Sequence, residues 1–269
     1  MSLESRMSLS PRTLATLALL ALPAAAFAQS SSPSREQWTL GIGAAAVDSP
    51  YAGEGTRVRP FPLIGYEGER FFLRGISGGM HVYESGGFTV DAILSPRLHG
   101  FDISDLGQAE LRANGVDPAL LRDRDDGLDA GARLSYGGTW GAISFDAVHD
   151  ITGTSEGYEL ALDYRYTWLL PRGALTANLG TSWMSDDLAG YYFGTLDEEV
   201  ARGVTAYAPG SAAVPRIGLT ATVPLGTTKW QLLGSVEVQF LPDALRDSPL
   251  LDADRERSGR VVLGLSRRL

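Results

Sequence analysis

Two stretches of this chain alternate largely apolar and largely polar positions over eleven residues, and that period of two constrains the fold more than any other feature. From Trp230 to Phe240 the even positions read Trp230, Leu232, Gly234, Val236, Val238 and Phe240, and the odd ones Gln231, Leu233, Ser235, Glu237 and Gln239. From Tyr158 to Trp168 the split recurs, with Tyr158, Leu160, Leu162, Tyr164, Tyr166 and Trp168 against Glu159, Ala161, Asp163, Arg165 and Thr167. Alternation of this kind gives an extended strand one greasy and one wet face. An eleven-residue strand rises about 36 Å, or roughly 25–28 Å after a ~40° tilt, which matches the apolar band of an outer-membrane barrel. The aromatic residues lie near the segment ends, where membrane interfaces favour them.

Weaker copies of the pattern predict strands over 38–46, 88–98, 128–136, 140–148, 175–183, 217–223 and 261–269. Segments 57–66, 71–76 and 77–83 read as strands with poor alternation, and Pro60 and Pro62 predict an irregular or bulged second strand. The joints supply a second test, because outer-membrane barrels alternate short periplasmic turns with long outer loops. Every even-numbered joint here is short, as at 67–68, 85–86, 137–138, 170–172 and 224–227, whereas 102–127, 185–214 and 241–258 are long. The expected fold is therefore all-β, a transmembrane antiparallel β-barrel of twelve strands (ten is the alternative) with both termini in the periplasm. The last strand ends in Leu269 rather than in the aromatic residue common at that position.

The N-terminus sets the compartment. Arg6 and Arg12 precede the apolar run 14–22, and Ala26-Phe27-Ala28 follows, the plan of a cleavable secretory signal over 1–28. Residues 29–37 then form a periplasmic tail and 38–269 the barrel. The run is too short for a spanning helix. Without cysteine the exported chain has no disulfide framework and no thiolate metal site. Loss of Glu4, Arg6 and Arg12 leaves 21 basic against 31 acidic residues, the wrong sign for a nucleic-acid partner.

Inward parity places Asp91, Arg97, Asp129, Arg133, Asp146, Glu159, Asp163, Arg165, Arg216 and Glu237 in the lumen. Two readings stand, a network of ion pairs filling a narrow barrel and the selectivity lining of a small channel; the network is favoured because pairing limits the cost of enclosed charge. In the long loop 185–214, Tyr191, Tyr192 and Phe193, with Trp183 close by, form either an aromatic plug in the barrel mouth or part of an interface belt. The plug is preferred, since the rings would otherwise be exposed. His81, His99 and His149 are the only histidines. His99 and His149 fall near strand ends with Asp102 and Asp150 nearby, a weak basis for a barrel hydrolase, and no catalytic, cofactor or metal site is assigned. The acidic run Asp123, Asp125, Asp126 and Asp129 lacks the spacing of a calcium loop and reads as a solvated outer loop.

The loops carry a further signal in Ser182-Trp183-Met184-Ser185-Asp186-Asp187-Leu188-Ala189-Gly190-Tyr191-Tyr192-Phe193-Gly194, which resembles the MipA/OmpV family of outer-membrane proteins. Thr205-Ala206-Tyr207-Ala208-Pro209-Gly210 and the segment 241–250 resemble its next blocks, and Gly41-Ile42-Gly43, Ser49-Pro50-Tyr51-Ala52-Gly53 and Pro60-Phe61-Pro62 its opening strands. The resemblance covers nearly the whole mature chain. It implies a non-catalytic barrel set in lipid and lipopolysaccharide, acting as a scaffold between a lytic transglycosylase and a murein synthase. A small-solute channel is the alternative.

Overall fold

The computed structural model describes residues 36–269; the signal segment 1–28 and most of the tail lie outside the described residues. Twelve antiparallel strands close into one barrel in sequence order. They are β1 (Gln37–Asp48), β2 (Thr56–Glu67), β3 (Phe71–Arg74), β4 (Ser77–Ser85), β5 (Phe88–Arg97), β6 (Gly127–Gly138), β7 (Gly141–Asp150), β8 (Tyr158–Leu170), β9 (Gly173–Met184), β10 (Ala212–Pro224), β11 (Trp230–Phe240) and β12 (Arg257–Arg268). The seam between β1 and β12 runs in register from Thr39↔Arg268 to Asp48↔Gly259, so the ladder closes without an edge there. One end of the barrel carries the short turns and both described chain ends, and the other the long loops.

The outward positions are apolar, with Ile42, Leu179 and Leu263 each at least 60% exposed, as a lipid-facing wall requires. Aromatic residues ring both rims. At the turn end stand Trp38, Phe71, Tyr136, Trp140, Trp168 and Trp230; at the loop end, Tyr158, Trp183 and Phe240. Inward positions are kept narrow by glycine. A Cβ at Gly43 would stand 2.6 Å from Phe61 Cζ, and one at Gly264 2.5 Å from Leu63 Cδ1, so these side chains lie flat over neighbouring strands. With Ala45, Leu233 and Val262 they make a small apolar cluster inside the wall.

One expectation for the β2–β4 sector needs correction. β2 is neither irregular nor bulged: it pairs with β1 continuously from Gln37↔Glu67 to Asp48↔Thr56. The bulge falls in β4, between His81 and Tyr83. The prolines are accommodated because of where their nitrogens point. Ser49 N donates to Gly55 O on the β1 side, whereas Gly75 N donates to Ile64 O on the β3 side. Backbone groups alternate sides along a strand, so Pro60 and Pro62 turn their missing donors away from β1. The third and fourth strands are also short: β3 has four residues, and the tight joint at Gly75-Ile76 ends the hairpin well below the loop end.

Candidate functional site: a paired lumen beneath a folded roof

Register explains the lumen. Arg133 and Asp146 are direct cross-strand partners on β6 and β7, and their side chains meet at 2.5 Å. Glu237 and Arg260 pair likewise across β11 and β12 at 3.0 Å. Asp163 and Arg216 sit on strands that do not touch, separated by Gly180 of β9, which is opposite both. With no side chain at Gly180, the carboxylate and guanidinium meet over its backbone at 2.5 Å. Arg97 completes the set, bonding Asp129 at 2.5 Å and Glu159 at 2.6 Å, with the arginine and Asp129 both buried. Arg165 stands half-buried among these pairs and makes no ion pair within 4.0 Å among the described residues.

Nearer the turn end, His81 bridges two carboxylates, Asp91 at 2.7 Å and Glu67 at 3.2 Å, while Arg74 bonds the same Glu67 at 2.8 Å. His81 and Asp91 are cross-strand partners on β4 and β5, a relation that parity counting shows only once the register is known. The two rim histidines are arranged differently. His149 Nδ1 lies 2.6 Å from the carbonyl oxygen of Asp150, whose carboxylate instead accepts from Thr152, Ser155 and Glu156 backbone amides. His99 packs edge-on against Tyr192 at 5.5 Å; burial, then the Arg97 charge, bring its pKa down to about 4. It is therefore neutral at pH 7. The acidic run serves the backbone: Asp123 accepts from Ile103 N, Asp126 from Gly100 N, and Asp129 holds Arg97.

Above the lumen the long loops fold into a roof with its own hydrophobic core. Helix α1 (Gln108–Ala113) comes from the first half of the chain, α2 (Asp186–Phe193) and α3 (Asp197–Ala201) from the loop after β9, and α4 (Asp243–Arg246) from the last loop. Tyr51, Phe101, Leu111, Leu188, Tyr192 and Leu250 are among its buried members. Helix α2 is coded locally. Ser185 caps it by accepting from Leu188 N at 3.3 Å, Asp186 and Asp187 face the positive end of the helix dipole, and Gly194 ends it. Its spacing puts Leu188, Ala189, Tyr192 and Phe193 on the buried side.

Of the four rings grouped in the sequence reading, the structure places Tyr192 and Phe193 in this core and Tyr191 at its margin. Trp183 is elsewhere. It occupies an odd position on β9, whose odd side chains face outward, and is 49% exposed in the loop-end girdle. Its assignment to a plug is thus corrected by strand parity.

The roof is pinned by a pair that sequence reasoning passed over. Arg124 and Glu199 side chains are both 0% exposed. Arg124 donates to both Glu199 oxygens at 2.8 and 2.9 Å, to Tyr191 O at 2.7 Å, to Arg122 O at 2.7 Å and to Gly194 O at 3.2 Å. Glu199 also accepts from Arg122 N and Leu196 N, each at 2.8 Å. Burial pushes its carboxyl up, but Arg124 and these amides outweigh burial and hold it below the usual range. Ala52 N donates to Leu250 O, Gly107 N to Ala52 O, and Ser248 Oγ to Phe193 O, so four loops share one core.

A closed antiparallel barrel with an apolar outer wall, two aromatic girdles and a charged lumen defines an outer-membrane β-barrel protein. Residues 40–269 match the family model described as MltA-interacting protein MipA, and the chain belongs to that family. The "Putative outer membrane protein YiaT" of Escherichia coli K12 is 30% identical over 251 residues, covering 93% of this chain and 96% of the relative. The "MltA-interacting protein" of the same strain is 30% identical over 238 residues, covering 86% and 89%. Among solved structures, the NanC porin aligns over 86% of this chain and 100% of its own, with 8% identity and a TM-score of 0.44.

Proposed function

We propose that this protein is a non-catalytic outer-membrane platform that holds murein-remodelling enzymes at the membrane rather than a pore. The observation that carries the reading is the roof: a buried core from four loops, locked by Arg124–Glu199, stands across the barrel mouth above a lumen whose charges are largely paired. A barrel filled and roofed in this way acts through its surface. The name of the MltA-interacting relative supplies the partner class, a lytic transglycosylase, and the family resemblance adds a murein synthase. In this reading the loop end faces outward, the turn end and both termini face the periplasm, and Arg172 and Lys229 on exposed turns lie where a partner docks.

Pull-down of the detergent-purified barrel with a periplasmic lytic transglycosylase tests the platform: retention that weakens in Arg172→Glu with Lys229→Glu is expected, and no retention refutes it. The polar lumen and Arg165 favour a second reading, a small-solute channel. Planar-bilayer recordings separate the two, since discrete conductance steps whose ion selectivity shifts in Arg133→Gln or Arg165→Gln support the channel.

A further inference from the structure

Between β2 and β5 the barrel wall is incomplete. β2 pairs with β1 along its whole length, but its ladder to β3 covers only Gly65–Glu67, with Ile64 O accepting from Gly75 at the hairpin tip. β5 pairs with β4 only up to Ser95↔Ser77 if the register from Gly78↔Leu94 is carried one step, and the Ser77 and Ser95 hydroxyls do meet at 2.7 Å. Above that point no ladder joins β2 to β5. Loop contacts close the top, Arg57 with Asp105 at 3.8 Å and Gly107 N with Ala52 O at 2.8 Å. What remains is a window in the side of the barrel, about seven β2 residues or ~23 Å long from Thr56 to Pro62.

The edges of this window share an unusual chemistry. Pro60 and Pro62 direct their nitrogens toward it. So does Pro96: Gly137 N donates to Gly87 O, which fixes odd β5 residues toward β6 and even ones toward the β4 side. Both edges have thus lost N–H groups that hydrocarbon would leave unsatisfied. The same loss removes the donors that a visiting β-strand would pair with, so the edge is protected against strand addition. Just inside, Phe61 lies over Gly43 and away from the opening. Arg59, on the same inward parity, is half-buried and makes no ion pair within 4.0 Å among the described residues.

We infer that this window between β2 and β5 is a lateral site for a membrane phospholipid, with one acyl chain entering past Pro60 and Pro62 and the phosphate meeting Arg59. The opening faces the bilayer at the depth of the strands, its rim is poor in donors, and Arg59, which no carboxylate of the described residues approaches within 4.0 Å, has the sign that a phosphate requires. An acyl chain fits such a rim better than a peptide strand, which needs the missing N–H groups.

The experiment uses the full barrel in vesicles of phosphatidylethanolamine and phosphatidylglycerol. A benzophenone side chain is placed at Ser95 (inward, on the β5 edge of the window), Thr220 (inward, on β10) or Phe145 (outward). After irradiation, the expected result is a mass gain of one phospholipid at positions 95 and 145 and none at 220. No adduct at 95 beside a clear one at 145 overturns the inference, as does a cross-linked dimer at 95. Should the benzophenone variant at position 95 fail to fold, the smaller nitroxide on Ser95→Cys, in a chain without other cysteines, reads the same space. Collision with oxygen at the level of a lipid-facing site is expected there, and collision only with a water-soluble relaxant overturns it. For the headgroup, Arg59→Gln is expected to lose the phospholipid that the wild-type barrel retains in native mass spectrometry; equal retention overturns the assignment to Arg59.

Discussion

The roof and the wall beneath it bury charge in opposite ways. Arg124 and Glu199 sit at 0% exposure inside an apolar core, with every guanidinium nitrogen bonded. The Arg133–Asp146 and Asp163–Arg216 pairs keep 15–24% of their side-chain surface and line a polar interior. A pair in the roof holds loops that have no ladder of their own, whereas a pair in the lumen decorates strands that backbone hydrogen bonds already fix. The same residue types therefore carry structure in one region and tune it in the other.

The sharpest way to break this contrast is to remove one roof partner. Glu199→Ala leaves Arg124 buried without its carboxylate, a loss of about 3–5 kcal/mol for such pairs. Protease cleavage within 185–211 should rise strongly, while the heat-modifiable gel shift of the barrel stays as in wild type; joint loss of both would show that roof and wall are one cooperative unit. Next comes Tyr192→Ala, which empties a ring that is 1% exposed and should cost about 3–5 kcal/mol. Tyr191→Ala, at the margin, should have a visibly smaller effect in the same assay.

Lumen changes come lower. Asp146→Asn removes a partly exposed pair, and a cost of about 1 kcal/mol is expected in the urea midpoint of the barrel, with loop cleavage unchanged. Gly180→Ala sharpens the point, because its Cβ would fall on the Asp163 carboxylate and force the pair with Arg216 apart without altering either charge. A midpoint shift similar to that of Asp163→Asn is expected.

A last test is a pH dependence of the roof. His99 is neutral in the folded state, with its pKa near 4, and faces Tyr192, Arg97 and Glu159. Its unfolded value is 6.5. A histidine depressed on folding contributes stability fully above its unfolded pKa and loses it as pH falls toward the folded one. Loop cleavage should therefore increase between pH 6.5 and 4, and His99→Gln should flatten that rise. Glu199 adds its own loss only lower, through the carboxylate range.

Period-two alternation made most of the wall legible, because a strand that faces lipid on one side and a polar lumen on the other alternates; the second to fourth strands alternate poorly, and the third stops at Arg74, short of the expected 76. Parity also placed Asp129, Arg133, Asp146 and Asp163 inward, while the pairing of Asp163 with Arg216 across Gly180 needed the register. The roof was largely illegible. Its core draws Tyr51, Phe101, Tyr192 and Leu250 from four loops, and no local period links them. The cap Ser185-Asp186-Asp187 and the terminating Gly194 did announce α2, although an aromatic cluster drew the reading instead. Trp183 stands next to the loop along the chain, but strand parity on β9 turns it outward. Pro60 and Pro62 lack donors only on the side of β2 that has no ladder, a distinction that depends on register and not on sequence.

The isolated bridge between Tyr51 and Leu251 joins loops that stand at opposite ends of the folded chain. Contacts of such sequence separation must wait for the intervening chain to be organised, since loop-closure entropy is met before they form. Here that organisation is the barrel itself, because β1 delivers Tyr51 and β12 anchors the loop of Leu251 only after their seam has zipped. The roof core would then be the last part of the molecule to assemble. Its protease resistance, followed in time after insertion into vesicles, would appear after the gel shift and serve as a clock for completed seam closure.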